Sequence, residues 1–418
     1  MTASSRPRRL LYVTQWFPPE PVAIPLWIAR ALRDRGWDIE VVTGQPNYPD
    51  GELHEGYSGR RYRREVEQGF RVLRTPLYAS HDASAVKRMA NYLSWAAAAS
   101  LVAPWKSRGA GVTLVYSSPA TAAVPAMLAR LIVGRRYVLV IQDIWPDSVT
   151  AAGFIRESPL LRLVERMLHR FVNASYRLAD SVVVISPGAA ELLGRRGVPA
   201  DKLHVIHNWA DESVMRPAER TGALRERLGL SDEAFVVMYA GTMGPAQSLD
   251  HAVHAMDATN SDAHLVLVGS GVARPGLEEL ARKTSPARVH FLDPVPLSEI
   301  ASLMADADAH LISLAPDPLF GVTMPSKVQS LLASGTVCIA SAPGDAAAIV
   351  SAAGGKAVTP GNSAELASTI DELASLGGTA LEMIRAAALA YYLENLSEAS
   401  GANQLSSLLN KSLEAEKK

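Results

Sequence analysis

The chain has 418 residues, of which 48 % are hydrophobic and 20 % charged, with a net charge of −1. That is too long for one ordinary core and too apolar for a disordered segment, so two or three globular domains are expected. A single cysteine, Cys338, excludes intrachain disulfides and any multi-cysteine metal site. It reads as a small core residue in an apolar strand, and a reducing, cytoplasmic setting is the default.

The charge is unevenly spread. Residues 1–210 carry 27 Lys and Arg against 17 Asp and Glu, whereas residues 211–418 carry 14 against 25. Opposed halves fit two domains facing different partners, the basic one able to attract anionic lipid, nucleic acid or a phosphorylated acceptor. Compositional drift between two solvated surfaces would give the same figures.

Strands alternate with helices along the chain, which predicts parallel, doubly wound sheets. The first strand is Leu10–Thr14; with Arg6, Arg8 and Arg9 before it, the run Leu10–Val13 is too short for a signal peptide. A loop with Pro18, Pro19, Pro21 and Pro25 leads into a helix at Leu26–Arg35, stopped by Gly36. Asp38–Thr43 and Phe70–Arg74 are strands on either side of an Arg-rich insertion at Arg60–Arg64. Met89–Trp105 carries no charge and is flanked by Lys87, Arg88 and Lys106. It is short for a bilayer span; its Trp95 and Trp105 suit an interfacial helix as well as a buried domain helix. Gly109–Ala129 is also uncharged but is divided by Ser117-Ser118-Pro119 and Pro125, so it reads as strand, turn and helix. Tyr137–Ile141, Ser181–Ile185 and Leu203–Ile206 complete this half.

A hinge is expected near His207–Pro217. A helix at Ala218–Leu230 precedes a second strand series: Phe235–Tyr239, Leu265–Val268, Val289–Phe291, Ala309–Ser313, Val337–Ser341 and Ala357–Val358. Helices at Glu365–Leu376, Leu381–Leu396 and Asn403–Glu416 close the chain.

Three segments carry chemistry. Gly241-Thr242-Met243-Gly244 follows a strand and precedes a helix near Leu249, the layout in which backbone N–H groups approach a phosphate. A structural turn explains the same glycines. Pro325-Ser326-Lys327 opens a helix, where the free N–H groups, the helix dipole and an ammonium favour an anion; a solvated lysine is the plain alternative. Ile141-Gln142-Asp143-Ile144-Trp145-Pro146-Asp147 ends a buried strand. Asp143 is placed to orient or deprotonate a hydroxyl, unless it serves as a cap or turn residue. Gly269-Ser270-Gly271 fails as a dinucleotide fingerprint, because Arg274 stands at the third glycine position and no acidic residue follows as a ribose contact. No His, Asp or Glu cluster shows metal spacing.

The 141–147 and 325–335 motifs resemble the retaining glycosyltransferases of family 4, and within them the bacterial enzymes of surface-polysaccharide assembly (colanic-acid and fucosamine-transferase-like). The resemblance covers nearly the whole chain. It implies the GT-B architecture: two Rossmann-like domains facing a cleft, at 1–207 for the acceptor and 208–390 for the nucleotide sugar, with residues 391–418 returning as a helix to the first domain. It implies donor contacts from Gly241, Thr242, Met243, Gly244, Gly269, Gly271, Pro325, Ser326, Lys327, Gln329 and Ser330. On the acceptor side it implies Glu20, Tyr48, Gln142, Asp143 and Trp145. Asp143 and Lys327 are the expected catalytic pair.

The wider family's Glu-x7-Glu is absent: Val322 and Ser330 stand at its two positions, and Val22-Ala23 replace paired glycines. The implied activity is transfer of a hexose, or an amino- or deoxyhexose, from a nucleotide sugar (UDP-linked) to a glycan or polyprenyl-diphosphate-linked acceptor, with no cofactor and no required metal. A peripheral contact through residues 87–106 would place the protein in the cytoplasm at the inner face of the cell membrane. Nucleic acid is not an expected partner, since no aromatic–basic interleaving supports it. Rival readings are a non-catalytic relative acting in assembly or regulation, and a sugar-nucleotide epimerase drawing on Asp317 and Asp345.

Overall fold

The computed structural model describes residues 8–80, 85–145, 159–318 and 320–415. Pro146, Asp147 and Leu319 lie outside these. The chain divides into two compact units, one formed by residues 1–206 with 402–418 and the other by residues 207–401.

The first unit holds an eight-stranded sheet in the order β3-β4-β2-β1-β5-β6-β7-β8. Its strands are β1 (Arg8–Val13), β2 (Trp37–Gly44), β3 (Arg63–Glu67), β4 (Phe70–Thr75), β5 (Val112–Ser117), β6 (Tyr137–Ile141), β7 (Ser181–Val184) and β8 (Leu203–Val205). Every pairing but β3–β4 is parallel. Central strands covered on both faces must be apolar throughout, and every residue of β5 and β6 is buried. The helices are α1 (Ala23–Asp34), α2 (Ala85–Gly109), α3 (Ala123–Val133), α4 (Pro159–Leu178) and α5 (Pro187–Arg195).

β3 falls in the stretch expected to be a polar insertion. Its sequence RREVE alternates no apolar face, yet it pairs antiparallel with β4 as a charged edge that discourages further strand pairing. α2 buries one side of the 87–106 segment and exposes the other. Trp95, Ala99 and Ala103 are fully buried, while Leu93, Leu101 and Trp105 on the other side are exposed. Trp95 is therefore a core residue, not an interfacial one.

The second unit is a six-stranded, all-parallel sheet in the order β11-β10-β9-β12-β13-β14. The strands are β9 (Phe235–Ala240), β10 (Ala263–Val268), β11 (Val289–Leu292), β12 (Ala309–Ser313), β13 (Cys338–Ser341) and β14 (Lys356–Val358). This is the doubly wound 3-2-1-4-5-6 order, whose direction reverses between β9 and β12; ligands bind at the carboxyl ends of the strands flanking such a point. Helices α6 (Ala223–Leu228), α7 (Asp250–Ala258), α8 (Arg274–Thr284), α9 (Leu297–Ala305), α10 (Ser326–Ala333), α11 (Asp345–Ala352), α12 (Ser363–Ala374) and α13 (Gly378–Tyr391) cover it. Cys338 is fully buried in β13, which pushes its thiol up to about 12.

The helix expected at Ala218–Leu230 shrinks to α6. Gly222 has φ +77°, outside the helical region, and the Asp306 carboxylate accepts the N–H groups of Thr221, Gly222 and Leu224 at 2.6, 2.9 and 3.0 Å. An acidic group on those donors caps the helix and fixes its start at Ala223. Near the end of the chain α13 gives way to a π-helical turn, Tyr392–Leu396, and then to α14 (Glu398–Ala415). The π turn seats Tyr392 in the core, where its hydroxyl donates to Glu212 at 2.9 Å and accepts from the Ala210 N–H at 3.2 Å. From Ala402 onward α14 belongs to the first unit. Arg8 donates to Asn410 Oδ1 at 3.0 Å, and the Trp37 indole N–H donates to Ser406 Oγ at 2.9 Å.

Candidate functional site

In the second unit the loops after β9 and β10 and the start of α10 form one constellation. Backbone hydrogen bonds lace the first two together: Gly241 N–H to Val268 O at 2.8 Å, Met243 N–H to Ser270 O at 2.8 Å, and Ala273 N–H to Met243 O at 3.0 Å. The approach is so close that side chains are excluded. A Cβ on Gly269 would lie 2.1 Å from Gly241 O, and one on Gly271 2.2 Å from Met243 O. Both glycines also have positive φ, +136° and +150°, which other residues rarely adopt. Met243 is buried beneath the turn, Thr242 is exposed at its tip, and Gly244 N–H bonds the side chain of Gln247 at 3.0 Å.

Lys327, at the first turn of α10, reaches across to this turn. Its Nζ lies 3.4 Å from the centroid of the Tyr239 ring, on the penultimate residue of β9. A Cβ on Gly241 would come within 2.7 Å of Lys327 Cε. No carboxylate pairs with this ammonium among the described residues. Burial pulls it down to about 7, and the ring face opposes that shift by favouring the cation. The Tyr239 hydroxyl donates to Thr242 O at 2.6 Å. One side chain thus supports both the glycine turn and the lysine.

Around α10 the expected residues separate. Pro325 precedes the helix in an extended conformation, and Ser326 is exposed beside it. Gln329 is buried, and its amide donates back to Pro325 O at 2.9 Å and Ser326 O at 3.3 Å. It is engaged with its own helix start. Ser330 is half-buried. Arg274 resolves as a surface pair: it holds Glu278 and Asp293 at 2.8 Å and donates to Gly269 O at 2.7 Å.

In the first unit Asp143 is exposed just beyond β6 and accepts a hydrogen bond from Ser118 Oγ at 2.9 Å. Gln142 is half-buried next to it. Trp145 is buried, 6.3 Å from Tyr92 between ring centroids; Tyr92 meets Trp16 at 6.3 Å, and Trp16 meets Tyr48 at 5.6 Å. Four aromatic rings therefore run in series from Trp145 to Tyr48. Glu20 is buried, and its carboxylate accepts the N–H groups of Phe17, Asn47 and Tyr48 at 3.2, 3.0 and 3.1 Å. It is a clasp between two loops, and it sets the backbone that carries Tyr48. Burial pushes this carboxyl up to about 7 against those N–H groups and the Arg74 guanidinium.

Tyr239, Trp16, Tyr92 and Ser118 escaped the reading of the sequence. Tyr239 had a signal, an aromatic residue two positions before a glycine turn; Tyr92 and Trp16 become neighbours only through the fold. Among the described residues no group of three His, Cys, Asp or Glu side chains stands where it could hold a metal ion.

Two family models match the chain: a glycosyl transferase 4-like domain over residues 22–209 and the glycosyl transferases group 1 over residues 234–375. The chain is 27 % identical over 309 residues to WcaI of Escherichia coli (strain K12), which bears the name of a colanic acid biosynthesis glycosyl transferase; the match covers 73 % of this chain and 75 % of that protein. It is 26 % identical over 282 residues to the glycosyltransferase WbjE of Pseudomonas aeruginosa, covering 65 % and 70 %. Among solved structures, HepE of Anabaena in complex with UDP and glucose superposes with TM-score 0.65 at 21 % identity, covering 97 % of this chain and all of that one. Sucrose-phosphate synthase of Thermosynechococcus elongatus gives 0.69 at 18 %, covering 98 % and 100 %. Two doubly wound units of this kind define the GT-B fold. Within that class the chain belongs to the family 4-like, group 1 glycosyltransferases, related to enzymes of polysaccharide biosynthesis.

Proposed function

We propose that the enzyme moves a hexose, or an amino- or deoxyhexose, from a UDP-linked sugar to a glycan or polyprenyl-diphosphate-linked acceptor, with retention at the anomeric carbon. The observation that carries this reading is the uncompensated Lys327 ammonium beside the Gly241–Gly244 turn. A half-buried cation without a carboxylate partner among the described residues, at a helix start and beside a glycine turn that keeps side chains out, is an anion site. A diphosphate supplies the missing charge. As the sugar–phosphate bond breaks, charge grows on the leaving oxygen, and preorganised donors stabilise it most at that moment. The uridine assignment leans on HepE, which was solved with UDP and with UDP-glucose.

In this reading residues 208–390 bind the donor through the glycine turns and residues 325–330, and residues 1–207 bind the acceptor. Asp143 receives or orients the acceptor hydroxyl, and Tyr48 and Trp145 belong to an aromatic series that packs against sugar rings. A peripheral membrane contact through residues 87–106, at the inner face of the cell membrane, would bring a lipid-linked acceptor to this unit. No single helix among the described residues is long and apolar enough to cross a bilayer.

The test is a thermal-shift panel with UDP, GDP, TDP, ADP and NAD on the wild type and on Lys327→Ala, followed by anomeric analysis of the product. A ligand at a hundredfold excess over its Kd adds about 2.7 kcal/mol. Stabilisation by UDP alone, lost in Lys327→Ala, supports the donor assignment. A flat panel refutes it, and an inverted product refutes retention.

A further inference from the structure

α2, α3 and α4 follow β4, β5 and β6, and each leads to a strand further along the same direction of the sheet. Right-handed crossovers put all three on one face, and α3 packs against both neighbours. This face is chemically unlike the rest of the molecule. Of the fifteen large hydrophobic side chains exposed among the described residues, nine lie on these three helices. Leu101 and Trp105 on α2 are 70 % and 61 % exposed, and Leu131 and Ile132 on α3 are 65 % and 61 % exposed. On α4 Met167 is 60 % exposed.

The charge on the same helices has one sign. Their sequences hold nine Lys and Arg but one carboxylate, Glu165. The ends of α2 and α3 are tied together, since Arg135 donates to Arg108 O at 3.2 Å, and the Arg108 guanidinium lies over the Trp105 ring at 4.3 Å. Arg166 and Arg170 are exposed on α4. Large apolar side chains and a tryptophan set among guanidinium groups are what an interface of acyl chains and anionic headgroups accepts. A soluble protein partner would be expected to meet some balancing carboxylates, and nucleic acid would have no use for the leucines.

We propose that this three-helix face docks on a bilayer carrying anionic lipid, with Leu101, Trp105, Leu131 and Ile132 entering the acyl boundary and the arginines engaging headgroup phosphates. It rests on the transferase reading, which supplies the lipid-linked acceptor, and widens the contact from residues 87–106 to α3 and α4.

The experiment is flotation of the full chain with vesicles of phosphatidylcholine alone and of phosphatidylcholine with phosphatidylglycerol, at low and high salt. The wild type is expected to float with the anionic vesicles and to be partly released by salt. The variants Leu101→Glu with Trp105→Glu, and Leu131→Glu with Ile132→Glu, should each cut the bound fraction about tenfold. Met383→Glu, at a 71 % exposed position in the other unit, should leave it unchanged. A wild type that stays at the bottom with anionic vesicles overturns the proposal. So does a paired variant that floats like the wild type, or a dimer that Leu101→Glu splits while vesicles go unbound. The UDP thermal shift, run on every variant, shows that it is folded and separates the two readings. A shift without flotation removes the docking face and keeps the donor site; flotation without a shift does the reverse.

Discussion

Lys327 and Tyr239 meet as cation and ring face, with Nζ 3.4 Å from the centroid, at the point where the first strand of the second sheet ends. The contact keeps an ammonium in place without giving it a counter-anion. On the proposed donor reading its charge is then available to a diphosphate, and donor binding becomes a proton-linked event.

The linkage has a definite sign. Burial lowers the free Lys327 to about 7, and a bound diphosphate favours the cation and raises it again. Above pH 7 donor binding must then take up a proton, so affinity falls by at most about tenfold per pH unit. Lys327→Arg holds its charge at every accessible pH and should flatten this dependence. Isothermal titration with UDP in buffers of different ionisation enthalpy measures the proton uptake directly. Lys327→Ala should lose about 2–3 kcal/mol of binding.

Tyr239 is expected to act through Lys327 and the turn. Tyr239→Phe keeps the ring and removes only the hydrogen bond to Thr242 O, so a loss of about 1 kcal/mol in stability with little change in the pH profile is expected. Tyr239→Leu removes the ring as well. It should move the pH midpoint of donor binding, which a merely structural role would leave in place.

Gly269→Ala and Gly276→Ala should differ in sign. The first puts a Cβ 2.1 Å from Gly241 O at φ +136° and should cost more than about 2 kcal/mol. It should also abolish the nucleotide thermal shift. Gly276, in α8, has nothing within 4 Å of an added Cβ, so alanine should stabilise by up to about 1 kcal/mol. Urea unfolding of both variants checks the contrast.

Glu20 gives the first unit a pH dependence of its own. Its folded-state value near 7 lies above its ordinary value of 4.5, so the native state holds the proton more tightly. The associated stability is present below 4.5 and is lost as the pH rises through 7. The change amounts to at most about 3 kcal/mol. Glu20→Gln should remove it, seen as a smaller difference between urea midpoints at about pH 5 and about pH 7 than in the wild type.

Asp143→Asn tests the acceptor side. Loss of a positioned base costs about a hundredfold or more in kcat, with the donor KM unchanged. Ser118→Ala, which removes the hydrogen bond at 2.9 Å, should cost far less.

The parallel strands were legible because both faces are buried: Tyr137–Ile141 and Ala309–Ser313 stand where their apolar runs stop. The edge strand Arg63–Glu67 was not, since its stability comes from pairing with β4 and not from an apolar face. A helix start singled out Lys327 and a strand end singled out Asp143 as candidates. They did not reveal that Gln329 folds back on its own helix or that Glu20 is a clasp, because hydrogen-bond partners come from segments distant in sequence or hidden in a turn. The short α6 was misjudged for the same reason: its start is set by Asp306, more than eighty residues away.

The seating of α14 on the first unit has a consequence for biosynthesis. The Ser406 hydroxyl that receives the Trp37 indole N–H is made 369 residues after it. A chain emerging from the ribosome completes residues 207–401 before the first unit receives α14. The unit that begins first is therefore the one that finishes second, and until then the side of its sheet beside Trp37 must wait uncovered.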